Sequence, residues 1–307
     1  MPEGPEVCIT AQYLKTKLKG RQITSLEILS GRYSHSKLLG IEHLNKAYTV
    51  KDVSSKGKLL WFDMIDSTST HLYLISHFGL TGGWSFHRSN SDRIKLLVKN
   101  IKNNKTYNLY YSDDRNFGQL SLTKNVDDLR TKTDSLAQDF LKTSFTSAQF
   151  NAQIKTFLSK SKKRTDMILG KVLMNQNTSN GIGSGIGNYL MPEILYDAKL
   201  SPFRKMGSLT DTEIDRLGVS IKRIIKLSYY NNTTGYMSNF ESFAETHKLG
   251  IISGKYPDYH KDIKLKSTDA FEFKVYRQKT DKLGNKVEQD KTINEGRTTY
   301  WVSSVQK

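Results

Sequence analysis

The chain has 307 residues, and its 47 Lys and Arg against 30 Asp and Glu give a formal net charge of +17. This excess favours a polyanionic partner, nucleic acid first and an anionic membrane second. Cys8 is the single cysteine, which excludes a disulfide within the chain and a thiolate zinc site. No apolar run is long enough to span a bilayer and nothing resembles a signal peptide, so we expect an intracellular protein that is not secreted.

The first seven residues, MPEGPEV, predict the start of a helix. Pro5 suits the first helical position, where its missing N–H costs nothing, and Glu6 in the first turn favours the positive end of the helix dipole. Apolar residues then follow at helical spacing, which predicts a helix over Pro5–Lys19. Pro2 and Glu3 lie outside this helix and need another explanation.

Pro2 becomes a free secondary amine if Met1 is removed. An α-amino group has a reference pKa of about 8, so a useful fraction is unprotonated at neutral pH. Such an amine attacking a sugar C1′ forms a Schiff base, and from proline the adduct is an iminium ion that keeps its positive charge. Glu3, one residue away, is placed to act as a general acid or base.

Short β-rich segments dominate the chain from Arg21 to Thr123. Asn103–Asn104 between the last two predicts a hairpin turn, and the spacing predicts a β-sandwich or barrel with the first helix packed beside it. The segments are QITSLEIL (22–29), AYTVKDV (47–53), KLLWFDM (58–64), HLYLISHF (71–78), IKLLVKNI (94–101) and TYNLYYS (106–112).

Three loops of this region carry candidate nucleic-acid contacts. In SSKGKLL, Lys58 is placed to reach a phosphate, although such a lysine is usually only solvated. In SHFGLTGGW, Leu80 is a candidate wedge between stacked bases, or else a buried turn residue. In DDRNFG, Arg115 is suited to hydrogen bond a base edge and Phe117 to stack between bases, the alternative being a polar turn.

Helices replace strands after about Val126. We expect them over Ser147–Ser159, Asp166–Met174 and Asn188–Ala198, and a capping box over Thr210–Glu213 introduces a fourth. NGIGSGIGNY (180–189) joins two of these helices; it forms either an anion site to which Asn188 adds an amide, or a tight helix–helix turn. The C-terminal segment (271–306) predicts two strands around the turn at 283–285, with Arg297 on a hairpin.

Together these motifs resemble the Fpg/Nei family of DNA glycosylases. The order is PEGPEV, G-K before a strand, H-x-G-x-T-G, D-x-R-x-F-G, G-I-G-N-Y-L and G-R-T-T-Y, and it spans the whole chain. The resemblance implies an α+β multidomain protein. Its expected parts are an N-terminal β-sandwich with a leading helix (1–135), a helix–two-turns–helix domain (136–235), and a linker with a β-hairpin finger (236–307).

The resemblance also implies roles for single residues. Pro2 is the expected nucleophile at C1′, Glu3 the proton donor to the deoxyribose ring oxygen, and Glu6 an assisting carboxylate. Flanking phosphates are expected to contact Lys58, Asn188 and Arg297. The space left by the flipped nucleotide is expected to be filled by Leu80, Arg115 and Phe117.

Some positions depart from the usual family pattern. Val302 and Val305 stand where the last two zinc-binding cysteines of most bacterial members fall, so we expect no metal and no cofactor. The chain is therefore similar to zincless-finger Nei-like members known from vertebrates, plants, fungi and giant viruses. Asn116 replaces the second arginine of D-x-R-R-F-G, and the segment 175–187 is about four residues longer than usual.

The resulting expectation is a monomeric bifunctional glycosylase and AP lyase of base excision repair. Its partner would be damaged DNA, duplex or single-stranded, carrying oxidised pyrimidines or hydantoins. Two alternatives stay open: an enzyme that prefers 8-oxoguanine, and a non-catalytic DNA-binding relative. We expect it in the nucleus or at a viral replication site if the source is eukaryotic or viral, and in the cytoplasm if bacterial. The loop over Thr233–Tyr259 is a candidate for base selection.

Overall fold

The computed structural model describes residues 2–230, 241–266, 269–294 and 296–307, without the side chains of 241–245. Its contacts form two compact units. The first contains Glu6–Ser135, and the second contains Glu3–Pro5, residues 136–230 and His247–Lys307. The boundary expected at 235/236 and the first part of the Thr233–Tyr259 segment lie outside the described residues.

The predicted first helix is confirmed as α1, Gly4–Leu18. Its apolar stripe is buried, with Val7, Leu14 and Leu18 fully shielded from solvent. Lys15 and Lys17 lie in the last turn, where positive charge favours the helix dipole. The spacing of apolar residues therefore decided both the helix and the face that it buries.

Eight antiparallel strands form one continuous sheet in the order β5-β7-β6-β1-β2-β3-β4-β8. Six of them match the predicted segments, whereas the short β5 and β8 were missed. The strands are β1 (Gln22–Ile28), β2 (Tyr48–Lys56), β3 (Leu59–Ile65), β4 (His71–His77), β5 (Gly83–Ser85), β6 (Asp92–Lys99), β7 (Thr106–Ser112) and β8 (Gln119–Thr123).

The two ends of this sheet fold over one another. Trp84 of β5 packs edge-to-face against Phe62 of β3 at 5.1 Å between ring centroids, although four strands separate β5 from β3 in the sheet. The Trp84 indole N–H donates to Ser76 Oγ of β4 at 3.1 Å. The core between the layers is made by alternate residues of the strands together with Val7, Leu14 and other residues of α1.

The hairpin between β6 and β7 confirms the predicted turn. Asn104 has a left-handed backbone with φ of 57°, a conformation that asparagine tolerates better than most residues. The Asn103 and Asn100 side chains accept hydrogen bonds from the N–H groups of Lys105 and Lys102, each at 3.1 Å.

Four of the described helices after β8 match predicted ones, whereas those over Val126–Ser135, Lys162–Thr165 and Glu241–Ile252 were not predicted. Ser147–Ser159 is a helix with a capping box at Thr146, and Thr210 and Glu213 cap the longest helix reciprocally. The helices are α2 (Val126–Ser135), α3 (Ser147–Ser159), α4 (Lys162–Thr165), α5 (Leu169–Met174), α6 (Leu190–Asp197), α7 (Asp211–Tyr230) and α8 (Glu241–Ile252).

The C-terminal hairpin differs from the prediction. Its strands are β9 (Glu288–Asn294) and β10 (Arg297–Trp301), which pair antiparallel on either side of Gly296. The turn at 283–285 exists but closes only an isolated bridge between Thr280 and Lys286. The prediction was wrong because Leu283-Gly284-Asn285 carries a clear turn signal, whereas the true hairpin is marked only by Gly296 with φ of 72°.

Candidate active site and nucleic-acid interface

Three backbone amides hold the Glu3 carboxylate in the second unit. Gly187 N–H donates to Oε2 at 2.6 Å, Leu190 N–H donates to Oε2 at 3.3 Å, and Tyr189 N–H donates to Oε1 at 2.8 Å. The side chain is fully buried. These donors lie at the start of α6, where free N–H groups and the helix dipole favour an anion. The anion predicted for this glycine-rich turn is thus the protein's own carboxylate.

Two glycines allow this contact. Gly4 N–H donates to the Gly185 carbonyl at 2.8 Å, and a Cβ on Gly4 would lie 2.8 Å from Gly185 Cα. Gly185 has φ of 107°, which side chains rarely adopt. The glycines in PEGPEV and GIGNY therefore let the chain start reach the turn before α6.

Gln176 closes the long segment 175–187 on itself. Its Oε1 accepts from Gly185 N–H at 2.7 Å, and its Nε2 donates to the Ile186 carbonyl at 2.8 Å. Within the segment, Gly181 N–H donates to the Asn177 carbonyl at 2.8 Å. The segment thus forms a loop that is closed by hydrogen bonds from Gln176 to the backbone of Gly185 and Ile186.

Asn188 and the C-terminal hairpin lie together. Asn188 Nδ2 donates to the Thr298 carbonyl on β10 at 3.3 Å, next to the exposed Arg297. Among the described residues, the buried Asn188 Oδ1 has no hydrogen-bond partner. The structure thus brings two of the predicted phosphate contacts to adjoining positions.

The first unit carries Pro2, Glu6 and Lys58. Pro2 and Glu6 are buried around the start of α1, and Lys58 is half-buried in the turn between β2 and β3. Because Leu59 pairs with His77 across β3 and β4, His77 lies beside this turn. Desolvation, followed by the charges of Lys58 and Lys132, lowers the pKa of His77.

A basic groove adjoins His77. Its volume is about 270 Å³. Its lining includes the cations Arg32, Lys37 and Lys132 together with Gln119. Arg32 is fixed there because its guanidinium donates to the Gly118 carbonyl at 3.1 Å. The groove gives this side of the sheet a surface suited to phosphate.

The loops that carry Leu80, Arg115 and Phe117 are joined by Asp113 and Thr81. Thr81 Oγ1 donates to Asp113 Oδ1, and Arg115 N–H donates to Thr81 Oγ1 at 3.1 Å. Gly118 N–H donates to Asp113 Oδ2 at 2.7 Å. The two motif loops therefore form one structure, which we call the paired loops (78–83 and 113–118).

The predicted contact residues project from the paired loops. Phe117 is 55% exposed, and the Arg115 guanidinium carbon lies 5.6 Å from the centre of its ring. Leu80 is half-buried in the neighbouring loop. Asn116 has φ of 56°, a left-handed conformation that suits asparagine better than arginine. An apolar ring exposed beside a guanidinium fits a surface that contacts bases.

Sequence reasoning missed three residues that organise these sites, and it also missed the buried Glu193 of α6. The three are Thr81 and Asp113 in the paired loops and His77 beside Lys58. The buried Glu193 accepts three backbone N–H groups, from Lys274, Val275 and Tyr276, at 2.8 to 3.0 Å. Three of the four stand inside the recognised motifs, yet motif order does not reveal which neighbours a polar side chain will contact.

Two family models match the chain. The formamidopyrimidine-DNA glycosylase N-terminal domain matches residues 1–120, and the C-terminal domain of the same family matches residues 261–307. The chain belongs to the formamidopyrimidine-DNA glycosylase family. It is an Fpg-type DNA glycosylase of base excision repair.

The alignments with similar proteins of known sequence cover from 71% to 100% of this chain in the two examples that follow. The formamidopyrimidine-DNA glycosylase of Prochlorococcus marinus (strain MIT 9211) is 25% identical over 320 residues and covers 100% of both chains. That of Corynebacterium glutamicum (strain R) is 28% identical over 224 residues, 71% of this chain and 74% of the relative. The agreement therefore extends over both units.

Solved Fpg structures share the fold of this family member. MutM (Fpg) from Thermus thermophilus has a TM-score of 0.71 at 21% identity and covers 99% of this chain and 98% of its own. Lactococcus lactis Fpg in complex with abasic-site DNA has a TM-score of 0.70 at 20% identity, covering 99% of each chain. The expected sheet domain, helical domain and C-terminal β-hairpin are confirmed.

Two further features are absent from the described residues. None of their helices is both long and apolar enough to cross a membrane. No group of three or more His, Cys, Asp and Glu side chains among them is arranged to hold a metal ion.

Proposed function

We propose that this family member is a bifunctional glycosylase and AP lyase whose nucleophile is the amine of Pro2. Its substrates are oxidised pyrimidines and hydantoins in DNA, and its finger is of the zincless Nei-like type. The observation that carries the proposal is the Glu3 carboxylate, which three backbone amides hold immediately after Pro2. A buried carboxylate beside a free amine is suited to proton transfer in Schiff base chemistry.

The proposed reaction begins with attack of the Pro2 nitrogen on C1′. The N–C1′ bond forms as the C1′–base bond breaks, the base leaves with that electron pair and takes a proton from water, and the nitrogen passes its own proton to Glu3. Glu3 then gives this proton to the ring oxygen, the C1′–O4′ bond breaks with its electron pair going to oxygen, and an iminium ion remains. Loss of a C2′ proton then expels the 3′ phosphate, and a second elimination expels the 5′ phosphate. The iminium charge stabilises both steps as an electron sink.

An apolar cluster supports the zincless assignment. Val302 is fully buried with Val275 and Val287, and the half-buried Val305 packs against them. Beside this cluster, the Asp281 carboxylate accepts from Leu283 N–H at 2.9 Å, Asn285 N–H at 2.8 Å and the Tyr196 hydroxyl at 2.9 Å. Apolar packing and hydrogen bonds to one carboxylate thus stabilise the C-terminal finger, which in zinc-finger members is stabilised by a bound metal ion.

Borohydride trapping tests the proposal. The protein, with Met1 removed, is incubated with duplexes carrying an oxidised pyrimidine, a hydantoin or 8-oxoguanine, and borohydride reduces any iminium to a stable amine. We expect an adduct on Pro2, with the first two lesions trapped faster than 8-oxoguanine. Faster trapping with 8-oxoguanine would reverse the substrate assignment. Binding without any adduct, even on plain abasic DNA, would support the non-catalytic alternative.

Asp113→Asn should reduce excision from duplex DNA by about 10- to 100-fold, a loss of roughly 1.4 to 2.7 kcal/mol in the transition state. The amide would place an NH2 group against a donor, either Gly118 N–H or one of the donors at Oδ1. If the paired loops are less firmly held, they should fill the space left by the flipped-out nucleotide less well, which lowers the rate on duplex DNA. Single-stranded substrate has no such space, so its rate should change less than threefold.

Asp92→Asn is the matched control. Asp92 is also a buried carboxylate of the sheet, but it accepts from Ser89 N–H at 2.9 Å and Ser89 Oγ at 3.0 Å. It should cost similar stability without changing the ratio of duplex to single-strand rates. Equal losses on both substrates in Asp113→Asn would show that the paired loops do not act on the duplex.

Chelator treatment should leave excision unchanged. After dialysis against excess EDTA, the rate should stay within twofold of the untreated rate, and metal analysis should find less than one tenth of a zinc ion per chain. Asp281→Ala should instead weaken the finger by about 1–3 kcal/mol, since it removes the acceptor of four described donors. Stoichiometric zinc in the purified protein would contradict the zincless assignment.

A further inference from the structure

A second basic surface lies at the end of the sheet where α1 finishes. Five of its side chains are exposed, and those of Arg21 and Lys99 are half-buried. We call it the distal basic surface; its residues are Lys17, Lys19, Arg21, Lys51, Lys99, Lys102 and Lys105.

Hydrogen bonds and strand pairing join the three elements of this surface. Gly20 N–H donates to the Val50 carbonyl at 2.9 Å, which places the end of α1 next to Lys51 of β2. Gln22 pairs with Lys99, at the base of the β6–β7 hairpin that carries Lys102 and Lys105. The Tyr107 hydroxyl of β7 donates to the Lys17 carbonyl at 3.3 Å. The seven cations therefore occupy one continuous region.

This positive charge is not neutralised within the described chain. None of the seven cations forms an ion pair with a described carboxylate, whereas neighbouring Lys15 pairs with Asp52 at 2.7 Å. Two of them lie over aromatic rings instead: Arg21 over Tyr107 at 5.5 Å and Lys17 over Tyr13 at 5.7 Å. Unpaired cations with aromatic support are typical of a surface that contacts a phosphate backbone.

The distal basic surface lies far from the start of α1. The helix has 15 residues, so its two ends are about 22 Å apart at 1.5 Å per residue. Pro2 precedes one end, and Lys17 and Lys19 lie at the other. The distal basic surface is therefore separate from the catalytic residues of the chain start.

We propose that the distal basic surface binds the phosphate backbone of a second segment of double-stranded DNA. The inference rests on the proposed function, since a first segment occupies the catalytic residues. A lipid bilayer fits this surface less well, because Ile101 is the single large hydrophobic side chain exposed here among the described residues. Holding two segments would let the enzyme pass from one to the other without free diffusion.

The test is a two-duplex binding measurement. The protein is saturated with a duplex containing a non-cleavable tetrahydrofuran abasic site, and a labelled undamaged duplex is titrated in at several salt concentrations. We expect a complex of two duplexes per chain. Lys19→Gln/Lys102→Gln/Lys105→Gln should weaken the second binding at least tenfold and reduce its salt slope by about 2.7, as the loss of three phosphate contacts should.

The matched control removes the same charge elsewhere. Lys261→Gln/Lys264→Gln/Lys266→Gln changes three exposed lysines of the second unit and should keep the second binding within twofold. Borohydride trapping by both variants should equal that of the wild type, which separates this proposal from the catalytic one. One duplex per chain at saturation, equal losses in the two variants, or binding to anionic vesicles without a second duplex would overturn it.

Discussion

Glu3→Gln should lower the rate of base excision by about 10²- to 10⁴-fold, the usual contribution of general acid–base catalysis. The amide cannot deliver or accept the proton that ring opening requires. It also cannot replace the carboxylate as an acceptor, because Oε1 and Oε2 both receive N–H groups. One donor would face the new NH2, at a cost of about 1–3 kcal/mol of folding free energy. DNA affinity should stay within about threefold, measured with abasic-analogue duplex.

Glu193→Gln separates the chemical effect from the structural one. Glu193 is also buried and also accepts three backbone N–H groups, so its replacement should cost comparable stability. Because Glu193 binds the backbone of residues 274–276, whereas Glu3 binds that of residues 187–190, we expect excision to remain within tenfold. If the two variants lost excision equally, or if Glu3→Gln lost DNA binding, Glu3 would be a structural residue.

An extension that stays in front of Pro2 should abolish Schiff base formation. It converts the secondary amine into an amide, whose nitrogen is neither basic nor nucleophilic at neutral pH. We expect trapping and strand cleavage to fall below detection, while binding to abasic-analogue duplex persists. Pro2→Gly keeps a terminal amine and should weaken trapping without abolishing it, measured as adduct formed per minute.

Removal of the extension provides the control within one sample. A protease that leaves Pro2 as the first residue should restore trapping to the rate of the untagged protein. Persistent trapping with the extension in place would mean that a lysine provides the amine. Lys58 is the first candidate, and mass analysis of the adduct would identify it.

Local sequence predicted most of the regular structure. The apolar stripe of α1 and the Thr210–Glu213 capping box are decided by residues three or four apart, so a short window contains the whole signal. The β6–β7 turn at Asn103–Asn104 is equally local. β5 and β8 were missed because strands of three and five residues hold too few alternations to stand out.

Motif order predicted which loops matter but not what holds them. Leu80, Arg115 and Phe117 were predicted from two separate loops, and the structure places these loops together through Thr81 and Asp113. That contact joins residues 32 apart in the chain, so no local pattern reports it. The C-terminal hairpin was predicted at the wrong turn for a related reason. The turn at 283–285 has the stronger local signal, but the main strand pairing, between β9 and β10, forms around Gly296.

By itself, the sequence determined the strongly basic character, the single cysteine, the helix at the chain start and the motifs that indicate the family. Only the tertiary structure decided the environment of Glu3, whose partners Gly187, Tyr189 and Leu190 lie more than 180 residues away. The physical reason is that backbone N–H groups donate alike whatever their side chains. Which ones remain free at a helix start, and which carboxylate reaches them, depends on the folded chain.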